Sequence, residues 1–170
     1  REHIVGNIHK GVVVHIVPNI EAAFVEFGYK KHGFLHVSDI LPSAVGQGDR
    51  NGDIRKLVRE GKEILVQVTK EGIGDKGPSL TTYLSLPGRY LVLMPGLSRR
   101  GVSRRITEDA ERDRLRAVLK TLDIPKNMGI IARTAGAGRS DADIRRDVEY
   151  LQRLWQTISE RAERASAPAM

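Results

Sequence analysis

The sequence predicts an α+β protein in two parts, a small all-β region followed by a mixed α/β region. Two observations predict this division. In the first 85 residues, apolar residues occur in short runs that Gly, Pro and Asn interrupt at intervals of about ten residues. From residue 86 onward, apolar residues at helical spacing alternate with short strand-like runs. A hydrophobic content of 40% is enough to bury a core in such a chain.

The first part is typical of a small barrel or sandwich, because several short strands follow one another closely. The strand-forming runs cover residues 4–17, 22–28, 33–37, 63–70 and 80–84. Between the third and fourth runs, residues 46–60 are polar and Gly-rich. This segment predicts a long loop with a helical turn at 54–58.

The second part predicts a unit in the order strand, loop, helix, strand, loop, helix, without an internal sequence repeat. The strands are expected at 89–94 and 129–133. The first helix is expected at 108–122, where acidic residues at the start and Lys120 near the end suit the helix dipole. The second begins at Asp141, carries an apolar stripe from Ile144 to Ile158, and can be capped by Ser140.

The net charge of +7 is carried mainly by arginines of the second part. The densest stretch, residues 99–105, contains four arginines and no acid: Arg99, Arg100, Arg104 and Arg105. A planar guanidinium suits phosphate oxygens. The stretch therefore predicts a basic loop that is either solvated or in contact with a polyanion. RNA or DNA is favoured over a membrane as the polyanion, because no apolar face accompanies the arginines.

Several classes of protein are excluded by composition. The chain has no Cys, which rules out disulfides, Cys-ligated zinc and a thiol nucleophile, and is compatible with a reducing compartment. No apolar run approaches the ~20 residues that span a bilayer, and no signal peptide opens the chain. The sequence starts without Met, directly before an apolar run, so we expect a piece of a longer, cytoplasmic protein.

Aromatic residues on barrel strands commonly stack the bases of single-stranded nucleic acids. Residues 11–40, with Ala23-Phe24-Val25 and the string from Gly33 to Ile40, resemble an S-one domain, a five-stranded OB-fold barrel that binds RNA. The resemblance implies that Phe24, Phe34 and His36 face RNA. Lys70 and Lys76, beside the Gly-rich turn at 72–77, are our candidates for phosphate contacts.

The resemblance extends to nearly the whole chain. In family order, the following strings are similar to the ribonuclease E/G family: Glu21 to Gly28, His32 to Leu35, Lys76 to Thr82, Leu91 to Pro95, Gly101 to Ile106, Met128 to Gly136, and Trp155. The chain would comprise an S-one RNA-binding domain at about 3–85 and a small α/β 5′-sensor domain at 86–170.

This family implies a parent protein that is a bacterial, Mg-dependent endoribonuclease, a hydrolase acting in RNA processing and mRNA decay. Its substrates would be single-stranded, A/U-rich RNAs, preferably with a 5′-monophosphate, and it would be a homo-oligomer. The family's catalytic carboxylates lie in other segments. We therefore expect these residues to bind RNA without a cofactor and without cleaving it. The sequence does not decide whether the parent is a ribonuclease of the E type or of the G type.

A Gly-rich loop between strand and helix, residues 133–140, can be a simple turn or a phosphate site. A phosphate monoester needs a guanidinium fork, a hydroxyl donor and backbone N–H groups, and the loop opens with Arg133 and Thr134. The resemblance implies that these two residues bind the 5′-phosphate. It also implies that Gly88 and Val92 border the terminal nucleotide, with Arg104 near that pocket.

The acidic and His residues predict no metal site. Asp141 and Asp143 open a helix, where acids usually complement the dipole, and Asp49 and Asp53 lie in a polar loop. The five His residues lack metal-ligand spacing and are expected to be structural, apart from the RNA role that the resemblance gives His36.

Two other functions stay open at this point. One is a non-enzymatic RNA-binding adaptor with an S-one-type barrel, although such an adaptor has no need of Arg133-Thr134 in a Gly-rich turn. The other is a protein-interaction module whose barrel and Arg-rich face bind an acidic partner.

Overall fold

A computed structural model describes residues 3–46 and 53–170. The chain forms two compact units, one made of the chain up to Leu84 together with Arg161–Met170, the other of Ser85–Glu160. The first stretch of the barrel unit ends at Leu84, one residue before the domain boundary predicted after residue 85. The C-terminal residues differ from the prediction, since Arg161–Met170 belong to the first unit.

The first unit is a closed barrel of five strands in the order β1-β2-β3-β5-β4, which confirms the predicted barrel and excludes the sandwich. The strands are β1 (Ile8–Val17), β2 (Ala22–Glu26), β3 (Gly33–His36), β4 (Glu63–Lys70) and β5 (Ser79–Thr81). A short helix α1 (Ile54–Leu57) lies within the predicted helical turn, and the Asp53 carboxylate caps it by accepting from Arg55 N.

Alternation along β3, and along β2 from Ala23 onward, separates the barrel core from its outer face. Ala23, Val25 and Leu35 are fully buried and belong to one apolar cluster. Phe24 and Phe34, which lie between them in sequence, are only partly buried. Because successive side chains of a strand point to opposite faces, the two Phe rings lie on the outer surface.

A lysine explains why the C-terminal residues belong to the barrel unit. Lys10 Nζ donates to the carbonyls of Ala162 and Ala165, at 2.5 and 2.9 Å, and so partners carbonyls that the end of a helix leaves unpaired. The backbone of Lys10 also pairs with Ala169 in an antiparallel bridge.

The second unit contains a four-stranded sheet in the order β6-β7-β9-β8, one complete helix and most of a second. Its elements are β6 (Leu86–Pro87), β7 (Leu91–Pro95), β8 (Arg100–Val102), α2 (Asp109–Lys120), β9 (Met128–Ala132) and α3 (Asp141–Arg164). Leu91, Leu93 and Ile130 on the sheet are buried, as are Leu115 on α2 and Ile144 on α3. The α/β character and both helices agree with the sequence, and Ser140 Oγ caps α3 by accepting from Asp143 N at 3.1 Å.

The Arg-rich stretch differs from the predicted basic loop. Arg100–Val102 forms β8, which pairs in parallel with β9. The guanidinium of Arg100 donates through Nη1 to the carbonyls of Leu119 and Leu122, at 2.6 and 3.2 Å. Arg100 therefore stabilises the end of α2, and its charge is directed to carbonyls of the protein itself.

Candidate nucleic-acid interface

A row of outward side chains crosses four strands of the barrel. Phe24 on β2 lies opposite Phe34 on β3, Phe34 opposite Ser79 on β5, and Ser79 opposite Lys70 on β4. We call these four residues the aromatic row. Strand register alone brings them together, since neighbouring strands lie about 4.8 Å apart.

A third ring and a cation lie beside the two Phe rings of the aromatic row. The Phe24 and Phe34 ring centroids are 5.9 Å apart at an interplanar angle of 68°. His36 tilts at 32° to Phe34, with centroids 6.4 Å apart, and Lys76 Nζ lies 5.6 Å from the Phe34 centroid. A cavity of about 390 Å³ opens here, lined by Phe24, Lys31, His32, Phe34, Asp75, Lys76 and Gly77. The structure thus brings together all five residues predicted to bind RNA.

The His36 imidazole is fixed in one orientation. Its Nδ1 accepts a hydrogen bond from the backbone N–H of Ser38 at 3.1 Å, and Ser38 Oγ lies 2.8 Å from the same nitrogen. A ring nitrogen that accepts cannot carry the proton, so neutral His36 carries it on Nε2. His36 can therefore offer an N–H donor beside the Phe34 ring.

In the second unit, the predicted phosphate-binding residues follow strand ends at one edge of the sheet. Strand β7 is antiparallel to β6 and β9, and β8 is parallel to β9. The ends of β6, β8 and β9 therefore meet the start of β7. Gly88 follows β6, Arg133 and Thr134 follow β9, and Arg104 lies two residues beyond β8.

Arg133 is exposed but held in a defined orientation. Its Nη1 donates to the Gly88 carbonyl at 2.8 Å, and its backbone N–H donates to the Tyr90 carbonyl at 2.7 Å. Thr134 is exposed and begins a short 3-10 turn, Thr134–Gly136. Val92, half-buried on β7, pairs with Pro87 directly before Gly88. Gly88, Val92, Arg133 and Thr134 therefore lie near one another. For Arg104, which is exposed, the strand order gives a position at the same edge of the sheet but no contact with these four residues.

A buried carboxylate, Asp147 of α3, holds the loop between β6 and β7. It is 6% exposed, and it accepts from the backbone N–H groups of Arg89, Tyr90 and Leu91 at 3.0, 2.9 and 2.8 Å. A Cβ at Gly88 would lie 2.5 Å from Asp147 Oδ2, so this close approach requires glycine. Asp147 thereby fixes the loop whose carbonyls orient Arg133.

A second carboxylate, Glu111 of α2, holds the Gly-rich loop. It forms a bidentate pair with Arg114, at 2.7 and 2.9 Å, and accepts from Gly138 N at 2.5 Å. The hydrogen bonds from Arg114 and then from Gly138 lower the pKa of Glu111 from 4.5 to about 2. The sequence pattern indicated the backbone N–H groups of this loop as candidate phosphate ligands. The N–H group of Gly138 instead donates to the Glu111 carboxylate.

Neither carboxylate was among the residues predicted from the sequence, and only Asp147 could have been recognised from the sequence pattern. Asp147 interrupts the apolar stripe of α3 between Ile144 and Leu151, and a carboxylate on a buried helix face needs partners. Glu111 lies in the acidic first turn of α2, where acids usually complement the dipole. Its hold on the Gly-rich loop depends on Gly138, 27 residues away in sequence.

The acidic residues considered as metal ligands lie beside arginines. Asp141 Oδ1 is 3.1 Å from Arg114 Nη1, and Asp143 Oδ1 is 2.7 Å from Arg146 Nη2. Among residues 3–46 and 53–170, no three His, Asp or Glu side chains are grouped so as to hold a metal ion. Asp49 lies outside the described residues.

The His residues have varied surroundings. His9 packs edge-on against Phe27, with centroids 4.9 Å apart, and its burial lowers its pKa below 6.5. His3, His15 and His32 each lie within 4 Å of a glutamate, namely Glu71, Glu60 and Glu26.

The two units together define a class of protein in which an RNA-binding barrel is joined to a small α/β region. Residues 2–82 match the S1 RNA binding domain, and residues 85–170 match the Ribonuclease E/G family. The chain belongs to the ribonuclease E/G family. In the part of the chain that the structure describes, no helix is long and apolar enough to span a membrane.

Similar proteins include ribonucleases of both types. Ribonuclease G of Escherichia coli (strain K12) is 44% identical over 170 residues, which cover 96% of this chain and 35% of the relative. Ribonuclease E of Haemophilus influenzae is 44% identical over 168 residues, which cover 95% of this chain and 18% of the relative. The chain thus spans about a third or less of the length of these relatives.

Proposed function

We propose that this chain is the RNA-binding and 5′-end-sensing part of a ribonuclease E/G-type endoribonuclease. The observation that carries the proposal is Arg133, which is exposed and yet oriented by the Gly88 carbonyl. A guanidinium has five N–H donors, and this hydrogen bond occupies one of them. The remaining donors are suited to a phosphate at the edge of the sheet.

The barrel supplies affinity for single-stranded RNA. Bases stack on Phe24 and Phe34, each stack contributing about 1–3 kcal/mol, and His36 donates from Nε2 to a base or phosphate. Lys70 and Lys76 neutralise backbone phosphates, so this part of the affinity falls as salt rises. Stacking of this kind tolerates many sequences, because every base has a flat aromatic face.

The second unit supplies selectivity for the 5′ end. A 5′-monophosphate carries up to two negative charges and has three acceptor oxygens. Arg133 donates in a fork, the Thr134 hydroxyl donates a further hydrogen bond, and Arg104 contributes charge from the same edge. Gly88 and Val92 border the terminal nucleotide. A 5′-hydroxyl end offers nothing to the fork, and a triphosphate is too large for these donors.

In the parent protein, RNA bound here is presented to a hydrolytic centre formed by other segments. We assign the catalytic carboxylates and Mg²⁺ to those segments, because two or more clustered carboxylates are needed to hold the ion. The residues of this chain bind and orient RNA without cleaving it. We expect the parent to be cytoplasmic and homo-oligomeric.

The test compares two short A/U-rich RNAs, one with a 5′-monophosphate and one with a 5′-hydroxyl, at one salt concentration. We expect the monophosphate to bind wild type more tightly by about tenfold, as for one charge-assisted bidentate contact. Arg133→Ala should remove this preference, and Arg116→Ala, which removes an exposed arginine of α2 outside the Gly-rich loop, is the control. Equal binding of both RNAs to wild type would favour the RNA-binding adaptor.

A further inference from the structure

The Phe24–Phe34 pair alone is a short platform for RNA. An OB fold binds about 4–16 nucleotides, whereas two rings stack two bases. Further nucleotides need a surface that continues the first. A second cavity, of about 250 Å³, is lined by Tyr29, Lys30, Lys31, Glu71, Gly72, Gly74, Lys76 and Pro78. Lys31 and Lys76 also line the cavity at Phe24 and Phe34, so the two cavities adjoin.

Tyr29 has the geometry of a stacking platform. It lies in the loop between β2 and β3, and its ring is nearly parallel to that of Phe27, at 17° with centroids 5.9 Å apart. Phe27 is 1% exposed and belongs to the barrel core, while Tyr29 is 41% exposed. Tyr29 therefore rests one ring face on a fixed residue and leaves the other accessible to a base.

Lysines lie between the two aromatic surfaces. Lys31 Nζ donates to the Gly74 carbonyl, and Lys76 Nζ lies 5.6 Å from the Phe34 centroid. The turn that carries Lys76 lies directly against the β2–β3 loop, since a Cβ at Gly77 would lie 2.1 Å from the His32 carbonyl. Cations at this point suit the phosphates of a strand that passes from one aromatic surface to the other.

The charge of the second cavity agrees with a polyanion. Its lining includes three lysines, Lys30, Lys31 and Lys76, against one carboxylate, Glu71. A positive groove with an aromatic side chain is the combination that binds single strands without sequence preference.

We propose that Tyr29 is a third base-stacking residue, and that RNA runs from the Phe24–Phe34 pair past Lys76 and Lys31 to Tyr29. The inference rests on the proposed RNA binding of the barrel and adds to it a defined path. It predicts that the contribution of Tyr29 depends on the length of the RNA.

The experiment measures the affinity of 5′-hydroxyl oligouridines of increasing length at one salt concentration. Tyr29→Ala should weaken binding of the longer RNAs by about tenfold, the value for one stacked base. It should leave the shortest RNAs unaffected, because they end before Tyr29. Tyr29→Phe keeps the ring and should bind like wild type.

Tyr29→Leu separates stacking from packing, since it still covers Phe27 but has no aromatic face. Its thermal unfolding should resemble that of wild type, and its RNA affinity should resemble that of Tyr29→Ala. Ile20→Ala removes a similarly exposed side chain at the turn after β1, at the other end of β2 from Tyr29, and should have no effect on binding.

Two outcomes distinguish this inference from the proposal on which it rests. If Phe24→Ala with Phe34→Ala abolishes binding while Tyr29→Ala and Tyr29→Leu bind every length like wild type, the path to Tyr29 is overturned and the barrel function stands. If the double Phe variant also binds normally, both fail.

Salt dependence provides a second readout. Tyr29→Ala removes no phosphate contact, so the slope of log affinity against log salt should not change. Lys76→Ala, which removes a cation of the proposed path, should reduce the slope by about 0.7, the value for one phosphate of a single strand. A reduced slope for Tyr29→Ala would contradict a stacking role.

Discussion

The two units build their candidate sites in different ways. In the barrel, the aromatic row consists of side chains that strand register places side by side, and its rings lie outside the core. In the second unit, Arg133 depends on a loop that a buried carboxylate, Asp147, holds in place. The barrel site can therefore lose its side chains without losing its fold, whereas the second site is inseparable from the packing beneath it.

The largest effect on binding is expected from the barrel. Phe24→Ala combined with Phe34→Ala should weaken RNA binding by about 2–6 kcal/mol, because two stacked bases are lost. Unfolding should change little, since both rings lie outside the barrel core cluster. Fluorescence anisotropy with a labelled 5′-hydroxyl RNA measures the first effect and denaturant unfolding the second. Val14→Ala, on the exposed surface of β1, is the control.

Asp147→Ala is expected to have the largest effect on stability. It leaves three backbone N–H groups without their acceptor. Each buried donor left unsatisfied costs about 1–3 kcal/mol, so the loss should be about 3 kcal/mol or more. Asp143→Ala removes an i,i+3 pair with Arg146 and one acidic charge from the first turn of α3, and should cost about 1 kcal/mol or less. Equal destabilisation of both variants, measured by urea unfolding, would contradict the role given to Asp147.

Ser140→Ala tests whether the start of α3 contributes to the stability of the second unit independently of Asp147, which the variant retains. The variant loses the hydrogen bond from Asp143 N to Ser140 Oγ, and loss of such a cap costs about 1 kcal/mol. Ser159→Ala, which removes a hydroxyl bonded to the Trp155 carbonyl within the same helix, is the comparison variant. If the two variants unfold at the same denaturant concentration, the cap contributes nothing.

A pH dependence that appears only in acid is expected from Glu111. Because the pKa of Glu111 is lowered from 4.5 to about 2 in the folded protein, its contribution to stability is present above pH 4.5. That contribution is lost as the pH falls toward 2 and the carboxylate protonates.

Glu111→Gln tests this sign. The second unit of the variant should be less stable than wild type at neutral pH, and its stability should fall less steeply between pH 4.5 and 2. Asp113→Asn, an exposed acid of the same helix, is the control. Parallel pH profiles for wild type and Glu111→Gln would show that Arg114 and Gly138 do not stabilise the ionised carboxylate.

The sequence was most informative where structure follows from local pattern. Strand β4 coincides with the predicted run 63–70, and α3 begins at the predicted Asp141. The outward positions of Phe24 and Phe34 follow from alternation between buried neighbours. A resemblance to a known family then assigned roles that alternation alone does not provide.

The remaining features depend on residues far apart in sequence. Strand β8 consists only of Arg100, Gly101 and Val102, and it is a strand because β9 pairs with it in parallel. The C-terminal residues join the barrel because Lys10 binds Ala162 and Ala169 pairs with its backbone. Asp147 acts on a loop 56–58 residues earlier in the chain. No local period predicts such contacts.

The most direct test of the central claim is an NMR titration of the labelled chain with the same RNA carrying either a 5′-monophosphate or a 5′-hydroxyl. We predict that both RNAs shift the signals of Phe24, Phe34 and Lys70. Only the monophosphate should shift those of Gly88, Arg133 and Thr134. Shifts in the second unit that are the same for both RNAs, or that are missing with both, would contradict the division of RNA binding and 5′-end sensing between the two units.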